Sequence, residues 1–192
     1  VVDASEGISL IGCGDHHHDH HDGDHHHDAD PHIWLSPKNA KIMAQNICSA
    51  LEAKFPSHIA TFQANLSSLL EELDALQDYG EAQLSDLSCR ELITFHDGFS
   101  YFAEAFDLTI LEAVEEESGS EASAGELKHL ITSVREHELS AVFTERSGSA
   151  SAANVIAAET GVPIFMLDMA MSGSSYFEAM YHNIDTIKEA LG

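Results

Sequence analysis

From Glu91 to the last residue, the chain repeats one pattern four times: a short apolar run, then a stretch with apolar residues at helical spacing. The runs are Leu92–Phe95, Leu108–Leu111, Ala141–Thr144 and Pro163–Leu167. The intervening helices are expected over Phe99–Phe106, Ala124–His137 and Ala150–Thr160, and a last helix carries Phe177, Met180, Ile184, Ile187 and Leu191. Gly161 stands where a C-cap glycine ends the third of these. A strand that must be followed by a helix before the next strand forms parallel pairs, with the crossovers covering both faces. The expected fold is therefore α/β, a four-stranded parallel sheet flanked by helices. In such sheets, ligands lie just beyond the carboxyl ends of the strands. There the sequence places His96, Glu145 and Asp168.

The first half reads differently. Ser36 is a candidate N-cap with Pro37 at the first helical position, and Ala40, Met43, Ala44, Ile47 and Leu51 follow at helical spacing. Pro56 breaks that helix. Ile59, Phe62, Leu66, Leu69, Leu70, Leu73 and Leu76 define a second, to about Leu84. If continuous, the two would form a strut of roughly 70 Å at 1.5 Å per residue. The chain then divides into residues 1–12, the end of a neighbouring lobe; 13–30, a polar loop; 31–88, long linker helices; and 89–192, the α/β lobe.

The polar loop is the richest in chemistry. Nine histidines fall between His16 and His32, interleaved with Asp15, Asp19, Asp22, Asp24 and Asp28. A run this dense has no apolar face to pack, and imidazole is the commonest side-chain ligand of transition metals. An affinity tag is the bland alternative, but tags are usually pure histidine runs at a terminus, and this tract is internal and mixed with aspartate. The tract reads as metal-collecting, through His16, His17, His18, His20, His21, His25, His26 and His27. The formal charge of −25 agrees with cation attraction, and it argues against nucleic acid and anionic membrane surfaces. Three cysteines, Cys13, Cys48 and Cys89, make no complete disulfide framework and no C-x-x-C. Cys48 reads as a small buried hydrophobe. No segment has the length and apolarity of a transmembrane helix, and neither a signal peptide nor an initiator Met opens the chain.

Each edge residue has a bland role when taken alone. His96 can be a surface or capping residue, Asp168 a helix cap, Glu145 an ion-pair partner of Arg146. Their joint placement at one sheet edge, with His32 at the start of the helices, favours a shared ion. Two imidazole nitrogens and a carboxylate oxygen suit zinc. Asp30, two residues before His32, suits the carboxylate that orients a metal-bound imidazole. His58, His129, His137 and His182 fall on predicted helices, where exposed polar faces suffice for them. Trp34 is expected to pack where the helices meet the lobe.

Five segments carry a resemblance: the histidine-rich loop, D-P-H-I-W-L-S-P-K-N-A (30–40), T-F-H-D-G-F-S-Y-F (94–102), F-T-E-R-S-G-S (143–149) and E-T-G-V-P-I-F-M-L-D (159–168). Together the chain resembles the zinc-specific, ZnuA-like branch of the cluster A-I solute-binding proteins of bacterial ABC transporters. The resemblance implies two α/β lobes joined by one long helix, metal held between them, no catalysis, and delivery of Zn2+ to a membrane permease. It implies a periplasmic or lipid-anchored surface protein. It also makes His32, His96 and Asp168 the metal ligands, with Glu145 either an outer partner supporting a ligand or an alternative ligand. The family's N-terminal lobe and its own histidine ligand have no counterpart here, so the chain is expected to be a fragment. Water or another chain would then complete the shell, and the uncovered apolar surface would favour dimerisation or domain swapping. Three further readings compete: a manganese- or iron-binding relative, a histidine-rich metal store or chaperone, and a zinc hydrolase with Glu145 as base. No H-E-x-x-H signature supports the last.

Overall fold

The computed structural model describes residues 1–12, 29–115, 122–145, 151–171 and 173–192. Two helices come first, α1 (Pro37–Lys54) and α2 (Ile59–Gln83). They are followed by β1 (Glu91–His96), α3 (Ser100–Ala105), β2 (Thr109–Glu115), α4 (Ala124–Glu136), β3 (Val142–Glu145), α5 (Ser151–Thr160), β4 (Ile164–Leu167) and α6 (Tyr176–Leu191). The four strands form one parallel sheet in the order β2-β1-β3-β4. This is the expected α/β arrangement.

Alternation along the strands divides the core between the two faces. Leu92, Phe143 and Leu167 point to one side and pack with α2, α3 and α6 through Leu76, Phe102, Phe106, Met180, Ile184 and Ile187. Ile93, Phe95 and Val142 point to the other, against Leu130 and Val134 of α4 and Ile156 of α5. Each of these side chains removed from water contributes roughly 1.5–3 kcal/mol. Gly161 ends α5 with φ +80°, the left-handed conformation that glycine adopts without strain, and its N–H reaches back to the Ala157 carbonyl at 2.8 Å.

The helical half corrects one expectation. Ser36 does cap α1, its hydroxyl accepting from Asn39 N, and Pro37 opens the helix. After the break at Pro56, however, α2 doubles back along α1. Lys41 near the start of α1 pairs with Asp74 late in α2, and Lys38 lies 3.9 Å from Glu81. A helical hairpin results in place of a continuous 70 Å strut, with an apolar groove between the helices in which Ile47, Leu51 and Leu69 stay exposed. Met43, Ile47, Leu51, Phe62, Leu66 and Leu69 line the seam between them. The far end of α2 enters the lobe, where Leu73, Leu76 and Gly80 are buried. Among the described residues no helix is long and apolar enough to cross a membrane.

Candidate metal centre

β1 ends at His96 and delivers its imidazole to the carboxyl edge of the sheet. His32 arrives from the opposite direction, just before the turn of 3-10 helix Ile33–Leu35 that leads into α1. The two Nε2 atoms lie 3.3 Å apart, with the rings nearly perpendicular at 85°. Two nitrogens bound to one tetrahedral zinc at about 2.0–2.1 Å stand about 3.3–3.4 Å apart. The pair is thus already at the separation that a shared ion requires.

Asp30 sets the orientation of His32. Its Oδ1 accepts from the His32 backbone N–H at 2.9 Å and lies 2.7 Å from His32 Nδ1. A carboxylate accepts and does not donate, so this contact selects the tautomer with the proton on Nδ1 and leaves the Nε2 lone pair facing His96. Asp30 is itself buried, and its Oδ2 has no hydrogen-bond partner among the described residues. The Nδ1 of His96 is also buried, with no partner among the described residues. Space for the His96 ring comes from Gly98: a Cβ there would lie 2.7 Å from His96 Cδ2, 3.0 Å from its Nε2 and 2.7 Å from Met169 Cε.

The third expected donor stands apart. Asp168 follows β4 at the same edge and is fully buried. Its carboxylate is already engaged: Oδ1 accepts from Ala170 N and Oδ2 from the Ser174 hydroxyl, each at 2.8 Å. Glu145, at the end of the neighbouring β3, is also buried. Among the described residues no group of three or more His, Cys, Asp or Glu side chains is arranged to hold an ion. His32 and His96 thus approach one another, and among the described residues Asp168 forms no three-donor group with them. Asp168 is not the helix cap it could have been, since Ser175 caps α6; its carboxylate holds the turn before that helix, where Ala170 takes φ +58°.

The remaining candidates separate cleanly. His16, His17, His18, His20, His21, His25, His26, His27 and Cys13 lie outside the described residues. The two ends of their tract are described and close together: Gly12 and Ala29 form an antiparallel bridge, and Asp30 N donates to the Ile11 carbonyl at 2.9 Å. His129 and His137 pair with Glu112 and Glu91, His182 contacts the Met166 carbonyl, and His58 is exposed. Cys48 is buried on α1, and desolvation, with the Glu52 carboxylate beside it, pushes its thiol up. Trp34 packs where expected, its indole N–H donating to the Met169 carbonyl at 2.9 Å.

Sequence reasoning missed Asn183. Completely buried on α6, it clamps the Asp168 backbone from both sides: its Oδ1 accepts from Asp168 N, and its Nδ2 donates to Asp168 O, both at 2.7 Å. The available signal was a polar residue inside the Met180, Ile184, Ile187 stripe, which marks a buried group that needs partners.

A parallel α/β lobe with an imidazole pair at the carboxyl edge of its strands carries side chains able to hold a metal ion. The chain belongs to the ZnuA family: the family model described as zinc-uptake complex component A, periplasmic, matches residues 1–190. It is 32% identical over 177 residues to a candidate metal-binding protein of Treponema pallidum, covering 91% of this chain and 56% of that protein. The zinc-binding lipoprotein AdcA of Streptococcus pneumoniae is 29% identical, with 90% and 36% covered. The manganese ABC transporter substrate-binding lipoprotein PsaA of Streptococcus mitis is 26% identical, with 84% and 55% covered. A crystal structure of ZnuA superposes with a TM-score of 0.87 at 32% identity, over all of this chain and 70% of that one. The chain thus spans about half the length, or less, of these curated relatives. The family consists of binding components of metal transporters, not enzymes.

Proposed function

We propose that this chain is the zinc-receiving part of the extracytoplasmic solute-binding component of an ABC importer, which hands its cargo to a membrane permease. His32 and His96 are its entry ligands, Asp30 fixes the tautomer of His32, and Asp168 joins the ion once it releases Ser174 and Ala170. Glu145 is the alternative carboxylate at that edge. The observation that carries this reading is the 3.3 Å separation of the two Nε2 atoms.

Zinc is favoured over manganese by the donors: two imidazoles suit a borderline ion, whereas manganese prefers oxygen. The manganese-binding relatives keep the second reading alive. Both are settled by titrating the full chain with Zn2+ and Mn2+ against a chelator of known affinity. The expected result is a tight first equivalent of zinc that is lost in His32→Ala and in His96→Ala, with manganese at least tenfold weaker. Tighter binding of manganese would reverse the choice of metal. A tight equivalent that survives both substitutions would move the site elsewhere, with the histidine-rich tract as the first alternative.

The tract has a defined part in this scheme. Its two ends are bridged at Gly12 and Ala29, and Ala29 lies three residues before His32. Eight imidazoles tethered there raise the local concentration of zinc at the paired site, as any short tether does for a second binding event.

A further inference from the structure

Tyr101 lies at the start of α3, buried to 0% exposure, five residues after His96. Its hydroxyl accepts from Ile11 N at 2.9 Å and donates to the Asp30 carbonyl at 3.1 Å. A phenol buried to this extent would otherwise carry an unsatisfied O–H, so its partners are fixed by burial. Those partners belong to a segment far away in sequence, the base of the histidine tract.

These bonds form a closed ring. Tyr101 holds the carbonyl of Asp30, and the Asp30 carboxylate holds the backbone N–H and ring nitrogen of His32. His32 Nε2 faces His96 Nε2 at 3.3 Å, and the chain returns from His96 through Asp97, Gly98 and Phe99 to Tyr101. The two halves of the ring come from separate elements, the segment before α1 and the β1–α3 turn. The Tyr101 hydroxyl is a hydrogen-bonded tie between them that does not pass through the metal ligands themselves.

We propose that Tyr101 is a positioning residue of the metal site, setting the His32–His96 separation by acting through Asp30. This rests on the reading of His32 and His96 as zinc ligands. A phenylalanine at 101 fills the same volume, but it leaves the Asp30 carbonyl unheld and lets His32 drift relative to His96. Losing such an outer partner typically weakens metal binding about 10–100-fold.

The test is a double-mutant cycle on the full chain, read by chelator competition for the first equivalent of Zn2+ and by the d–d absorption of the Co2+ form. Tyr101→Phe is expected to weaken zinc about tenfold and to alter the Co2+ band. On an Asp30→Asn background the same substitution is expected to add little, because both act through one path. Equal losses on both backgrounds, or no loss at all, overturn the role. His96→Ala separates the two levels: if it leaves the tight equivalent intact, the site reading fails. If it removes that equivalent while Tyr101→Phe matches the unsubstituted protein, only the role of Tyr101 fails. Should Tyr101→Phe not fold, hydrogen exchange in the unsubstituted protein decides. Zinc is expected to slow exchange of the Ile11 amide through the ring, and an unchanged rate overturns the coupling.

Discussion

Gly98 is the smallest residue at the site and among the least replaceable. Its backbone runs so close to the His96 ring that a methyl group cannot enter without displacing either that ring or the Met169 side chain. Gly98→Ala is therefore expected to weaken zinc binding about tenfold or more, since a misplaced ligand costs at least as much as a lost outer partner. Melting temperature should change far less, and calorimetric titration alongside a thermal melt checks both. The same residue scale explains why Asp168 stays put. Its carboxylate has two donors already, one of them the amide of Ala170, whose left-handed backbone costs on the order of 1–2 kcal/mol without such support. Recruiting Asp168 to an ion means exchanging those bonds for the metal.

At the scale of elements, α6 is both the cover of one sheet face and the anchor of the site's far corner. Asn183→Ala removes both bonds to the Asp168 backbone and leaves a buried N–H and C=O unpaired, an expected loss of about 3 kcal/mol in chemical denaturation. The start of α6 is fixed by a capping box, Ser175 with Glu178, and α4 begins with another, Ser123 with Glu126. The backbone N–H of Ser175 holds Glu178 below the usual glutamate range, with the Ser175 hydroxyl adding to it. Ser123 does the same to Glu126, here mainly through its side chain. A depressed folded-state value means the stabilisation is complete above the unfolded glutamate pKa and fades as pH falls through the lower folded one. Protein carrying Glu126→Gln and Glu178→Gln should accordingly lose less of its stability on acidification than the unsubstituted chain, as melts across the acidic range will show.

At the scale of the whole molecule, the proposed collecting role of the histidine tract can be removed by deletion. Deleting residues 15–28 is expected to keep the tight site, remove several weaker equivalents of zinc and slow capture from dilute metal. Neutral imidazole binds metal and imidazolium does not, so the advantage of the intact chain should shrink as pH falls below about 6.5. Stopped-flow capture by the two forms, measured at a series of pH values, checks this. Unchanged rates after deletion would leave the tract without a part in loading.

The sheet, its parallel sense and nearly all its helices were legible in the chain, because burial of alternating and helical stripes is a local demand that each segment states in its own residues. Ser36, Pro37, Pro56 and Gly161 act within a few residues of themselves, and each ended or began an element where its chemistry required. The same periodicity was silent on whether α1 and α2 form a rod or a hairpin, since an apolar stripe does not say which surface it will meet. Nor does a sequence show which donors are idle. His32 and His96 lie far apart along the chain, and only folding brings their Nε2 atoms to 3.3 Å. The residue types that make metal chemistry available were set by the sequence. Which of them face one another, and which are bound to their own turn as Asp168 is, was decided by packing, because distance between side chains is a property of the folded chain alone.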